Sequence, residues 1–192
     1  MKRIALIGII AVTLLALDVH GSVPERESSE DAARVVRDSS LVVPGVGAEG
    51  ILLGMKVEEV KELKGEPERV TQKKRWMLFE DVFKLKEVDD VPFDSMLVYG
   101  YPDVTVGLKS GKVQFVIGQS SQRVTSSGVS LERGVQYLIF RMGNEGLHIL
   151  ERTEKSLYMY STRGLALFDD GSDDSIEMYA VFKPSDLVRE DD

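Results

Sequence analysis

Apolar and polar positions alternate along three stretches in the middle of the chain, Met96 to Tyr101, Val104 to Lys109 and Lys112 to Gln119. The same alternation returns near the end, in Leu147 to Arg152, Leu157 to Thr162, Gly164 to Asp169 and Ser175 to Phe182. A period of two residues marks strands with one buried face, so each segment predicts a β-strand. "KSGK" at 109–112 predicts a tight hairpin turn, and "DDGSDDS" at 169–175 stands in the corresponding place further on, three residues longer.

A different period precedes each group of strands. Val57, Val60 and Leu63 recur at helical spacing while Glu58, Glu59 and Glu62 fall on the opposite side. Gly65 can adopt the left-handed conformation that ends a helix, and Pro67 cannot continue one. The frame returns 78 residues later: Gly50, Leu53, Val57, Val60 and Gly65 map onto Gly128, Leu131, Val135, Leu138 and Gly143. A helix followed by hairpin-linked strands, twice over, predicts an α+β fold. Its expected form is two tandem helix-plus-antiparallel-sheet repeats with the helices on one face of the sheet. The expected boundaries are 50–119 for the first repeat, 120–127 for a connector and 128–184 for the second. An insertion at about 73–94, carrying Trp76, interrupts the first, and 185–192 forms an acidic tail.

The stretch "GILLGMKVEEVKELKGEPERV" at 50–70 resembles the opening of small envelope modules of the SmpA/OmlA (BamE) type. The residues that carry the likeness are Gly54, Met55, Glu59, Val60, Gly65 and Pro67, together with the "SGKVQFV" hairpin at 110–116. Two such units in tandem are similar in arrangement to the β-lactamase inhibitory protein fold, a pair of helix-plus-sheet repeats sharing one concave sheet. The likeness covers about 50–182 and implies a fold and an envelope setting; it brings no catalytic residues. Lys56 stands at the start of the first helix, where a side chain that accepts hydrogen bonds would normally cap it.

The N-terminus is organised differently. Lys2 and Arg3 precede an apolar run from Ile4 to Leu17, and Val19-His20-Gly21 leads to Ser22. That layout predicts a secretory signal peptide over 1–21, too short in its apolar part for an ordinary membrane span. The expectation is export to the periplasm or beyond, without stable membrane insertion after cleavage. Residues 22–49 are rich in Ser, Glu, Asp and Arg, are broken by Pro24, Pro44, Gly45 and Gly47, and read as a polar linker.

Composition narrows the function. The apolar fraction of 43% and charged fraction of 29% describe a globular chain with a real core. Net charge is −8, and near −9 with 22 basic and 31 acidic side chains once Lys2, Arg3 and Asp18 are removed with the leader. Such a surface repels phosphate backbones, so nucleic acid is not an expected partner. With no Cys there is neither disulfide, thiol catalysis nor a Cys-based metal site. Beyond the leader there is one histidine, His148, and no Gly-x-Ser-x-Gly elbow, phosphate loop or dinucleotide fingerprint accompanies it. The expectation is a protein that is not an enzyme and carries no cofactor.

Two binding features remain. If the Ile/Met/Val/Phe side of the strands lies against the helices, Tyr99, Tyr101, Tyr158, Tyr160 and Tyr179 collect on the open face of the sheet. Tyrosines on an open sheet predict a docking site for a protein partner in the envelope or outside the cell. The alternative is a small-ligand or Ca²⁺ sensor. It would use Asp169, Asp170, Asp173 and Asp174 of the acidic turn as hard oxygen ligands, although their spacing is not that of an EF-hand. A structural spacer with no defined site is the third reading.

Overall fold

A computed structural model describes residues 25–86, 89–100, 103–152, 155–171 and 175–188; the side chains of 25–28 and of Arg152 are outside this description. The expected leader at 1–21, Tyr101, Asp173 and Asp174 also lie outside the described residues. The chain is α+β. It opens with α1 (Glu25–Arg37), then β1 (Leu41–Val43), β2 (Gly47–Ala48), β3 (Ile51–Leu52) and α2 (Val57–Lys64). There follow β4 (Arg69–Met77), β5 (Pro92–Tyr99), β6 (Val104–Lys109), β7 (Lys112–Gln119) and the short β8 (Val124–Thr125). After α3 (Val135–Met142) come β9 (Leu147–Arg152), β10 (Lys155–Tyr160), β11 (Leu165–Asp169) and β12 (Met178–Phe182). No helix among the described residues is long and apolar enough to cross a membrane.

The main sheet has eight strands in the order β4-β5-β6-β7-β12-β11-β10-β9. Every neighbouring pair in it is antiparallel. β7 and β12 meet at its centre, with Val116 opposite Val181. The helices begin and end as the glycines predict. Gly65 at φ 83° and Gly143 at φ 78° close α2 and α3, and each gives its N–H to a carbonyl in the last turn, of Lys61 and Ile139 respectively. At the other end of α2, Glu59 reaches back to accept the Lys56 N–H at 2.7 Å, which replaces the missing side-chain cap from the opposite direction.

β4 was not foreseen, and the insertion is correspondingly shorter. Residues 73–77 extend β4 and 92–94 belong to β5, so of the described residues in the expected insertion 78–86 and 89–91 leave the sheet. β4 is an edge strand whose sequence, "RVTQKKRWM", is mostly exposed and therefore lacks alternation. Its register slips between Gln72 and Trp76, which places three residues, 73 to 75, opposite Asp94 alone.

The segment expected as a polar linker is folded from Glu25 onward. β1 lies between β2 and β8 in a second, four-stranded sheet of order β3-β2-β1-β8, where Val42 is parallel to Thr125 of the expected connector. Val35, Leu41 and Val43 are buried in a small cluster of their own. The physical reason is length: strands of two or three residues carry too few positions for a period to emerge, and their burial comes from partners far along the chain. The tail is also partly docked, since Val188 and Asp90 exchange backbone hydrogen bonds at 2.9 and 2.8 Å.

Both faces of the main sheet are covered, and in β10, β11 and β12 successive side chains alternate between them. On one face Tyr160, Leu165, Leu167, Tyr179 and Val181 meet Val60 of α2, Leu138 and Met142 of α3, and Val42 and Ile51 of the small sheet. On the other face Leu157, Met159, Phe168, Ala180, Phe182, Phe93 and Phe115 meet Leu78, Phe79, Leu85 and Val91 of the excursion. The expected orientation is therefore inverted. Tyrosines face the helices, the Met/Phe/Ala set faces away, and the latter is roofed by Leu78, Phe79, Leu85 and Val91 instead of lying open.

Candidate functional site

The inversion removes most of the expected docking surface. Tyr160 and Tyr179 are fully buried, Tyr99 is 7% exposed, and Tyr158 is half-buried against the same core. A side chain without access to solvent cannot anchor a partner, so Tyr99, Tyr160 and Tyr179 act within the core. On the helix side Tyr179 donates its hydroxyl to Glu49 Oε1 at 2.7 Å. Its phenol is held protonated well above the usual tyrosine range, first by burial and then by the neighbouring Glu49 charge.

The excursion builds a cavity where the sheet was expected to be bare. Leu78–Val82 forms a single π-helical turn, a geometry that recurs at functional sites. Asp90 sets its position. The buried carboxylate accepts the N–H groups of Phe79 at 2.7 Å, Glu80 at 2.9 Å and Val91 at 2.7 Å. Burial pushes this carboxyl above the ordinary range, opposed by those three donors. Asp81 closes the other side by accepting the Met77 N–H at 2.8 Å. The chain leaves the turn through Lys84, a non-glycine residue in the left-handed region at φ 61°, and returns to the core at Leu85.

Between this excursion and the ends of β10, β11 and β12 lies a slot of about 260 Å³. Its apolar lining is Val82, Phe83, Leu85, Ile117, Phe168 and Met178. Phe83 and Phe168 stack face to face, with ring centroids 3.5 Å apart and planes 9° from parallel, which ties the excursion to β11. Polar groups rim the slot: Lys84, Lys155, Asp169, Asp170 and Glu177, with Lys155 and Asp170 each one residue beyond the paired Ser156 and Asp169 of β10 and β11.

The acidic rim is the described part of the expected aspartate turn, joined by a residue the sequence reading passed over. Carboxylate oxygens of Asp169, Asp170 and Glu177 all lie within 4.8 Å of one another. Backbone N–H groups hold two of them, Asp170 N–H giving to Glu177 Oε2 at 2.8 Å and Gly171 N–H to Asp169 Oδ1 at 2.7 Å. Glu177 Oε1 is buried with no hydrogen-bond partner. Its carboxyl is pushed up, first by desolvation and further by the charges of Asp170 and Asp169. Such an oxygen costs free energy until a donor or cation reaches it.

Phe79, Phe83, Phe168, Lys84, Lys155 and Glu177 were all missed from sequence. One signal existed: "WMLFEDVFKL" at 76–85 is a concentrated apolar run with Phe79 and Phe83 four apart, inside what read as an inserted loop. A second surface feature sits on α3. Phe140 is 83% exposed, and Tyr137, one helical turn before it, lies beneath the guanidinium groups of Arg133 and Arg141 at 5.7 and 5.8 Å. His148 is exposed on the edge strand β9, opposite Met159.

The fold and slot define an α+β chain with a small, mostly apolar cavity under a π-helical flap. No protein-family model and no curated protein matches the sequence. Among solved structures, it is similar to an extracellular protein containing an SCP domain from Bacillus anthracis, with 12% identity, a TM-score of 0.43, and coverage of 68% of this chain and 44% of the other. A cysteine-rich secretory protein from Staphylococcus aureus aligns at 9% identity and a TM-score of 0.45, covering 73% and 48%. A DUF4309 family protein from Bacillus subtilis aligns at 15% identity and a TM-score of 0.39, covering 82% and 99%. The chain thus spans less than half the length of the first two.

Proposed function

We propose that the chain is an exported binding protein, not an enzyme, whose ligand is a small molecule with an apolar body held in the slot beneath the excursion. The slot carries this reading. It combines an apolar lining, which includes the stacked Phe83–Phe168 pair, with a few charged groups at its rim, the composition of small-ligand sites. Its 260 Å³ falls just below the ~300–1,000 Å³ of drug-sized sites, which suits an occupant with a single ring or a branched aliphatic group. Export rests on the basic head and apolar run of residues 2–17. The duplicated design is part of the proposal too: α2 and α3 are offset by 78 positions, as are Gly65 and Gly143 and the first residues of β4 and β9. The likeness to SmpA/OmlA modules rests on the same glycines.

Saturation-transfer NMR with neutral single-ring fragments tests the slot, using the purified protein and a Met178→Trp variant. Met178 lines the slot and is 38% exposed, so an indole there obstructs the slot with little change to the core. Transfer to fragments by the wild type and its loss in the variant is the expected result; equal transfer by both would move the site elsewhere.

A protein partner is the second reading, favoured by Phe140. An 83% exposed phenylalanine beside an arginine-flanked tyrosine is the residue set of binding hot spots. Affinity capture from an envelope extract, with wild-type and Phe140→Ser baits, decides it by whether a specific protein is retained only by the wild type.

A further inference from the structure

The main sheet ends in two edge strands, β4 and β9, and they are built differently. β4 presents Arg69, Lys73, Lys74 and Arg75, all exposed, and its register with β5 slips between Gln72 and Trp76. Cations and bulges are the usual means by which an edge resists pairing with another chain. β9, "LHILER", has no lysine or proline, and its register with β10 runs without a slip from Leu147 opposite Tyr160 to Arg152 opposite Lys155. His148 and Ile149 are exposed on it, Ile149 by 50%. The smaller sheet ends in strands of two residues, β3 and β8, too short to template a pairing. Among the described strands, β9 is the unguarded edge.

The ladder also fixes which backbone groups this edge offers. Two residues separate Arg152 from Lys155, so that pair exchanges its own backbone hydrogen bonds, and every second pair along an antiparallel ladder does the same. Arg152, Leu150 and His148 therefore bond to β10, while the backbone groups of Leu147, Ile149 and Glu151 are directed outward. Of these, Leu147 gives its N–H to the Asn144 carbonyl at 3.2 Å.

We propose that this edge pairs with β9 of a second copy of the chain, antiparallel, about a twofold axis through Ile149. In that register Ile149 exchanges both backbone bonds with its counterpart, and Glu151 N–H gives to the Leu147 carbonyl of the second copy. The two Ile149 side chains meet on the helix side of the sheet, where each stands across from the half-buried Tyr158. Leu147 faces Glu151 and His148 faces Leu150, so no like charges are opposed. A twofold through Leu150 would instead set His148 against Arg152 and Ile149 against Glu151. The net charge of −8 keeps copies apart in general, but from Arg133 to Lys155 four basic side chains stand against three acidic ones. The repulsion is centred elsewhere on the surface.

Sedimentation equilibrium of the purified protein at neutral pH tests the pairing. One strand edge buries much less than the ~800 Å² per partner of a standard interface, so the dimer should be weak, with a midpoint at about 10–500 μM. Ile149→Lys sets two ammonium groups opposite each other across the axis and should weaken association about ten-fold. Val70→Lys, on β4 and also 50% exposed, should leave it unchanged. Both positions are at the surface, and equal urea midpoints show that the variants fold. Because the chain has no Cys, Ile149→Cys supplies a single thiol, and mild oxidation at the same concentrations should link the copies into a covalent dimer, whereas Val70→Cys should stay largely monomeric. A protein that remains monomeric to about 500 μM, a dimer that Ile149→Lys leaves intact, or equal cross-linking by the two cysteine variants would overturn the proposal.

Discussion

Tyr179 donates its phenolic hydrogen to Glu49 Oε1 at 2.7 Å, joining residues 130 positions apart in the sequence. Arg123 donates to the same carboxylate, Nε to Oε1 at 2.6 Å and Nη2 to Oε2 at 3.1 Å. Glu49 is 1% exposed and sits with Gly50 in a left-handed turn between β2 and β3, at φ 58° and 77°. Glutamate is a poor residue for that conformation, with a cost of roughly 1 kcal/mol; its carboxylate reaches a guanidinium and a phenol in return. These contacts fasten the N-terminal segment onto the centre of the main sheet.

Removing one partner of this buried group should hurt unequally. Arg123→Leu leaves a buried carboxylate without its counter-ion and should cost about 3–5 kcal/mol. Tyr179→Phe removes one hydrogen bond and should cost about 1–3 kcal/mol. Urea denaturation of the two variants checks the order; a larger loss in the tyrosine variant would contradict it.

Burial raises the phenols of Tyr99, Tyr160 and Tyr179 above the tyrosine value of 10.0, with Tyr179 the furthest displaced. The folded chain keeps these protons at a pH where the unfolded chain has released them. The stabilisation is whole below pH 10 and is lost as pH rises through the folded values. The midpoint of thermal unfolding should therefore fall steeply above pH 10, and ionisation absorbance from the buried tyrosines should appear together with unfolding.

The Asp90 carboxyl is likewise raised above 3.8, with desolvation as the chief cause. Its contribution is present below the unfolded value and lost as pH rises through the folded one, so the π-helical turn it holds should loosen slightly across the acid range. Asp90→Asn, which cannot ionise, should flatten that dependence. Amide hydrogen exchange at Phe79, Glu80 and Val91, followed from pH 3.5 upward and corrected for intrinsic rates, measures it.

Gly107 leaves room for Phe115. A Cβ at position 107 would lie 2.0 Å from that ring, beside a register shift between Gly107 and Leu108. Gly107→Ala should displace the ring, disturb its edge-on contact with Phe93 at 5.0 Å, and cost about 1–3 kcal/mol or more. Gly111, whose Cβ would meet nothing within 4 Å, is no control, because its φ of 74° strains any side chain. Phe140→Ser is the better one. Its side chain is exposed, and stability should change by no more than about 0.5 kcal/mol.

Much of the architecture was legible before the fold was known. The two-residue period located β6, β7 and β9 to the residue, because their flanks are marked by turn signals such as "KSGK". Helical spacing and closing glycines located α2 and α3. What the period could not supply was direction. In β12, Tyr179 and Val181 alternate with Ala180 and Phe182, and both pairs are apolar enough to bury. A sheet covered on both sides has no polar face to reveal which way a strand points, so the tyrosines were placed outward when they lie inward. The excursion's fold, the slot under it, the burial of Glu49 with Arg123 and Tyr179, and the meeting of Glu177 with the aspartate turn depend on segments brought together over long stretches of chain. Local sequence sets each segment's conformation through backbone sterics and periodicity; only the packed structure chooses which segments cover which face, because that choice is made by the shared burial of residues with no proximity in sequence.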